Sequence, residues 1–283
     1  MGSTAAPGCV FERVTPLFEP WPMPLWIAHR GAGKLAPENT LAAFHVGASH
    51  GFRAFECDVK LSADGVPFLL HDSTLDRTTP LRGVAGLKEW AELSRIDAGS
   101  WHGHGHGRSF AGEPIPSLEL IARYVQRNGY ALNIEIKPTP GQEHATGLAV
   151  GRACLQLWDR PAAAAPTASV PFFPLYPLFS SFRPDALQGA REAAPHIPRA
   201  LLLDQLWPGW WEAAQTLGCV AAVTQHSLMD AALLQRLHAA GLRGLCYTVN
   251  DAADVHRLLH LGIDGLITDA VDRCGPGAAG LLD

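Results

Sequence analysis

The chain is 283 residues long, with 47% hydrophobic and 17% charged residues and a formal net charge of −5. This is the balance of an ordinary globular protein and excludes a disordered one; the negative charge, with no run of Lys and Arg, argues against nucleic acid as a ligand. No stretch approaches the roughly 18 consecutive apolar residues of a membrane-spanning helix, so no stable membrane insertion is expected.

The six cysteines, Cys9, Cys57, Cys154, Cys219, Cys246 and Cys274, are scattered and form no CxxC pair. Cys57, Cys219 and Cys246 fall in or beside apolar runs, where a reduced thiol behaves as a small hydrophobe. Residues 1–24 read as an N-terminal extension without the basic-then-apolar pattern of a secretory signal. Together these features point to a reducing compartment, and a cytoplasmic protein is the expectation.

In chain order, a buried strand is predicted at 25–30, a helix at 38–50 and a second strand at 54–59. Another strand-like run, 66–71, follows too closely for a parallel crossover. The intervening Asp64-Gly65 pair is a strong hairpin signal. With those two as turn residues, Ala63 pairs with Val66 and Asp58 falls opposite His71. Residues 73–116, rich in Gly, Ser and His, read as an excursion over one end of the fold. A helix at 117–127, a strand at 130–137, a helix at 145–158 and a Pro/Ala linker at 160–174 follow. Strands at 176–182, 199–204, 220–225, 244–249 and 264–269 then alternate with helices at 185–193, 208–217, 230–240 and 251–261.

Leaving the hairpin aside, that gives eight strands with crossover helices. The pattern suits an α/β fold of the TIM-type (β/α)8 barrel, as one domain over 1–283. No Gly-x-Gly-x-x-Gly follows the first strand, so an open dinucleotide-binding sheet is disfavoured.

Four segments carry the candidate chemistry: Ala28-His29-Arg30-Gly31, Glu56-Cys57-Asp58, His71-Asp72 and Glu135-Ile136-Lys137. Their polar residues end apolar runs, and the C-terminal strand ends of a barrel form the rim where catalytic groups gather. Glu56 and Asp58 are two apart and share one face of their strand, as do Glu135 and Lys137. Three gathered carboxylates repel unless a cation sits among them. Oxygen ligands without sulfur or paired imidazoles suit Mg²⁺ or Ca²⁺ better than zinc. Arg30 and Lys137 offer a positive lining for a phosphate, and His29 and His71 can serve it as general acid and base.

Other polar and aromatic features read more plainly. Glu38 and Asn39 fit a helix N-terminus after Pro37. His102, His104 and His106, alternating with glycine, read as a solvated loop, because ordering so flexible a segment around a cation costs entropy. His226 ends a predicted strand, and Trp207, Trp210 and Trp211 read as packing or a hydrophobic lip.

The stretches IAHRGAGKLAPENTLAAF, ECDV, PFLLHD after the Asp-Gly turn, LDRTT and NIEIK resemble, in order, the motifs of the glycerophosphodiester phosphodiesterase family, in its compact cytoplasmic branch. Ile-Pro-Ser-Leu-Glu at 115–119, Ser-Ser-Phe at 180–182, Tyr-Thr-Val-Asn at 247–250 and Ile-Thr-Asp at 267–269 fit as well. The resemblance implies metal-dependent hydrolysis of a small-molecule glycerophosphodiester to sn-glycerol 3-phosphate and an alcohol. It implies His29 and His71 as the acid/base pair, and Glu56, Asp58 and Glu135 as ligands of one divalent cation. Arg30 and Lys137 match its phosphate-holding positions, and Tyr247 stands where the family carries a Trp near the glycerol. Two other readings stay open on sequence: a phospholipase C- or D-like enzyme or lyase acting on lysophospholipids, and a non-catalytic barrel that binds phosphorylated ligands.

Overall fold

A computed structural model describes residues 21, 23–103, 109–159 and 176–277. Cys9, His104, His106, the linker at 160–174 and most of the 1–24 extension lie outside the described residues.

Nine strands form among the described residues: β1 (Trp26–Ala28), β2 (Ala54–Leu61), β3 (Pro67–Leu69), β4 (Ala131–Ile136), β5 (Leu178–Ser181), β6 (Arg199–Leu203), β7 (Ala221–Gln225), β8 (Arg243–Tyr247) and β9 (Gly265–Thr268). All but β3 are parallel and run β1-β9-β8-β7-β6-β5-β4-β2, and a β1–β2 pairing shuts the ring. The fold is the expected TIM barrel.

The helices are α1 (Leu41–Ser49), α2 (Trp90–Leu93), α3 (Leu118–Asn128), α4 (Glu143–Trp158), α5 (Pro184–Ala193), α6 (Trp210–Thr216), α7 (Ala231–Ala239) and α8 (Ala252–Leu261). Four start where a side-chain oxygen accepts an N–H of the first turn, from Thr40, Ser117, Asp230 and Asp251.

Strand alternation divides the core in two. Phe55, Cys57, Val59, Ile134, Ile136 and Phe179 face outward and pack with the helices. Burying each large side chain there is worth about 1.5–3 kcal/mol. Ile27, Ala54, Ala131, Leu178, Val223 and Ile267 face inward and fill the lower barrel. Toward the C-terminal strand ends the inward row turns polar, with Glu56 and Asp58 on β2, Asn133 and Glu135 on β4, and Ser180 on β5, all buried. The apolar floor therefore ends where the polar site begins.

The hairpin forms in a different register from the expected one. Val59 pairs with Leu69, Lys60 with Phe68 and Leu61 with Pro67, so Asp58 lies level with Leu70 and not His71. The turn is responsible. The Ser62 hydroxyl accepts the Val66 N–H and donates to Asp64, while Gly65 takes φ +81°, giving a three-residue loop in place of the two-residue one. The edge of β2 beyond β1 is open because β1 ends at Ala28, and β3 pairs there. Residues after β3 gather over a small core of their own, including Phe68, Leu75, Leu93, Ile96 and Ile115.

Candidate active site

β1 and β9 end just before their functional residues. His29 and Arg30 were expected inside a strand but sit in the turn after β1, and Arg30 takes φ +52°. That turn points the Arg30 backbone N–H at Glu56 Oε2, 3.0 Å away. A few residues on, Gly33 lies so close to Asp269 that a Cβ on it would meet the Asp269 Cα at 2.2 Å. Only glycine fits. The close approach brings the first loop against the end of β9, where His29 Nδ1 and Asp269 Oδ1 are 2.6 Å apart.

The predicted residues converge. His29, Arg30, Glu56, His71, Glu135 and Lys137 line one cavity of about 150 Å³ at the C-terminal strand ends. Tyr247 lines it too, with its hydroxyl donating to the Leu203 carbonyl at 3.2 Å and its ring edge-on to Phe182. His71 reaches the cavity although its expected cross-strand partner is wrong, because β3 ends at Leu69 and the chain turns inward beyond it. His226 pairs instead with Asp254, 3.3 Å away, and does not line the cavity. His102 contacts the Lys34 carbonyl at 3.0 Å and stacks edge-on with Trp101 and Phe110.

Oxygen atoms of Glu56, Asp58 and Glu135 lie within 4.8 Å of one another. Glu56 Oε1 and Asp58 Oδ1 are buried and accept no hydrogen bond; Lys137 Nζ stands 3.2 Å from that Asp58 oxygen and donates to Glu135 at 3.0 Å. Below them, both side-chain polar atoms of Asn133 and the Ser180 hydroxyl are buried without a partner. Buried oxygen acceptors left open in this way are costly unless a ligand meets them. The residues present could hold a metal ion.

The ionisation of the site follows from its crowding. Burial, with Asp58 beside it, pushes the Glu56 carboxyl up to about 8. Burial and Asp58 also raise Glu135. Asp58 goes the other way: burial opposes its charge, but Lys137, Arg30 and the Asn39 amide hold it well below the usual carboxylate range. Burial works against charge on His29 too, yet the Asp269 hydrogen bond and the Glu56 charge outweigh it and raise its pKa. His71 is lowered, by burial first and then by Lys137 and Arg30 against the pull of Asp58.

A model of the glycerophosphoryl diester phosphodiesterase family matches residues 29–273. The chain belongs to that family. It is 30% identical to the glycerophosphodiester phosphodiesterase of Caldanaerobacter subterraneus subsp. tengcongensis, over 87% of this chain and 93% of that one. It is also 30% identical to that of Bacillus altitudinis, over 87% and 94%. Among solved structures, an Oleispira antarctica phosphodiesterase in complex with the product sn-glycerol-3-phosphate superposes with a TM-score of 0.76. It is 33% identical, with 88% of this chain and 94% of that one covered. Family and relatives together place the chain among the glycerophosphodiester phosphodiesterases.

Within this phosphodiesterase, several residues stand around the cavity in positions that sequence reasoning did not assign. Asp269 orients His29 and is itself held by Asn250, whose Oδ1 accepts the Asp269 N–H at 2.8 Å. Asn39, at φ +58°, clamps Asp58, and Glu38 accepts from Arg30 at 3.0 Å; α1 starts after both, capped by Thr40. Arg77 bridges Glu38 and Asp72, and Asp72 Oδ1 is 2.7 Å from His71 Nδ1. Asp269 carried the same signal as His29, a polar residue ending an apolar run. Arg77 carried none, since its place depends on how the loop after β3 folds back.

Proposed function

We propose that the chain hydrolyses glycerophosphodiesters to sn-glycerol 3-phosphate and an alcohol. Glu56, Asp58 and Glu135 are the ligands of one divalent cation in this reading, and His29 and His71 are the acid/base pair. The observation that carries it is the open, buried Glu56 Oε1, clustered with Asp58 and Glu135 oxygens beside a cavity lined by two imidazoles. The product bound in the Oleispira antarctica relative supports the choice of substrate.

The donor set suits a hard cation, because all three ligands are carboxylates and neither a thiolate nor an imidazole belongs to the cluster. Mg²⁺ or Ca²⁺ fits best. When bound, such a cation neutralises a phosphate oxygen and makes a nearby hydroxyl easier to deprotonate. The protein's own groups do the rest. Arg30 and Lys137 hold the remaining phosphate charge, and their guanidinium and ammonium are fixed by Glu38, Asp58 and Glu135. Tyr247 lines the same cavity and is the aromatic side chain proposed to meet the glycerol.

The two imidazoles are biased in opposite directions. His29, braced by Asp269, favours the charged form, and His71, buried among cations, favours the neutral one. His71 accordingly takes the proton of the attacking hydroxyl, and His29 gives its Nε2 proton to the departing alkoxide.

The test is release of glycerol phosphate from glycerophosphocholine, measured with Mg²⁺, with Ca²⁺ and after chelation. Turnover is expected with a cation and lost without one. Full activity after exhaustive chelation would remove the metal role; no glycerol phosphate from any glycerophosphodiester would remove the substrate.

A further inference from the structure

Beside the site lies a larger cavity of about 630 Å³, which shares His71, Lys137, Phe182 and Leu202 with the first. A diester whose phosphate sits against Lys137 has this second cavity open to one of its substituents, along the wall common to both. Its most buried charged group is Lys60, the next inward residue on β2 after Glu56 and Asp58 and only 1% exposed. Lys60 Nζ donates one hydrogen bond, to the Lys137 carbonyl at 3.2 Å, and makes no salt bridge among the described residues. An ammonium has three protons to place, so two remain for whatever occupies the cavity. A buried cation without an anion is costly until oxygen atoms meet it.

The rest of the lining is arranged around that charge. Lys137 adds a second, half-buried cation, while Arg183 and Asp204 are exposed and Glu143 is half-buried. The one fully buried charged group of the lining is therefore a cation.

We infer that this cavity takes the departing alcohol and that Lys60 selects polyols, such as glycerol or inositol, over choline. A polyol presents hydroxyl oxygens on the carbons next to the ester, within reach of the open ammonium protons. Choline presents a fixed positive charge two carbons away and no acceptor. The inference rests on the glycerophosphodiester reading above.

The experiment compares kcat/KM for glycerophosphoinositol and glycerophosphoglycerol with that for glycerophosphocholine, in the wild type and in Lys60→Met. The polyol-to-choline ratio is expected to fall about tenfold or more in the variant, the size of one lost hydrogen bond to a charged group. An unchanged ratio, with both classes slowed alike, overturns the role of Lys60. Should the variant fail to fold, inhibition of the wild type by free inositol and free choline decides: tighter inhibition by inositol supports the inference, and equal or tighter inhibition by choline overturns it. A wild type that cleaves none of the three diesters brings down the parent reading and this one together; a wild type that cleaves all three without a Lys60-dependent ratio brings down this one alone.

Discussion

Asn39 holds Asp58 at two points, donating from Nδ2 to Asp58 Oδ2 at 2.8 Å and accepting the Asp58 backbone N–H on Oδ1 at 3.0 Å. With Oδ2 so occupied, Oδ1 is left without a hydrogen bond, 3.2 Å from Lys137 Nζ, in a residue whose carboxylate clusters with Glu56 and Glu135. Partners that orient a metal ligand in this way typically change affinity or activity by about 10–100-fold when lost. Asn39→Ala is expected to weaken cation binding by that much, measured by calorimetric titration of the chelated protein.

On the acid/base roles proposed above for His71 and His29, their opposite biases set the pH profile. His71 must be neutral, and its pKa is lowered, so the acid limb of kcat/KM falls below the ordinary histidine value of 6.5. His29 must be charged, and its pKa is raised, so the alkaline limb falls above 6.5. The expected curve is a bell around that value. Asp269→Asn removes the hydrogen-bonded carboxylate that sustains the His29 proton, and its alkaline limb should move to lower pH. A limb that stays in place would argue against His29 as the proton donor.

Arg77 ties two parts of the site together. Its guanidinium donates to Glu38 at 2.7 and 2.8 Å and to Asp72 at 2.7 and 3.1 Å, and those carboxylates hold Arg30 and His71. Misplacing such groups by about 1 Å costs on the order of 10²-fold in rate. Arg77→Gln should lower kcat toward that range and displace the acid limb of the pH profile, while Arg77→Lys recovers only part of the loss because an ammonium cannot make the forked contacts. Steady-state kinetics across pH would show it.

Repulsion among Glu56, Asp58 and Glu135 also predicts a thermal shift. A cation that binds only the folded protein adds about 2.7 kcal/mol of stability at a hundredfold excess over its Kd. Tm should rise on adding Mg²⁺ or Ca²⁺ and return with chelator. Glu56→Gln should abolish most of the cation-dependent increment. An equal increment in wild type and variant would disconnect the cation from the cluster.

Gly33→Ala tests the contact between the first loop and β9. The added Cβ would lie 2.2 Å from Asp269 backbone atoms, at a residue with φ +57°. Overpacking of this kind costs about 1–3 kcal/mol. Lower stability in denaturant should come with the same pH displacement as Asp269→Asn, since His29 loses its partner either way.

Much of this site was legible in the sequence because barrel geometry turns strand ends into one rim. Glu56 and Asp58 could be set on one face by their spacing, and Glu135 with Lys137 likewise, and they meet in the structure. What was not legible lies in the loops. The Ser62 and Asp64 side chains shift the hairpin by one residue, a choice that the Asp-Gly pair alone does not fix. Glu38 and Asn39 fit a helix start as well as they fit a clamp, and only the left-handed turn at Asn39 decides between the two. Arg77 has no periodicity to betray it.

The pairing of β1 with β9 joins the beginning of the barrel to its end, and His29 meets Asp269 across 240 residues of chain. On the ribosome, the first of these is made long before the second. A chain still being synthesised, or one whose ring has been opened, carries its imidazole without the carboxylate that steers it. In the proposed mechanism, hydrolysis thus waits for the polypeptide to come full circle.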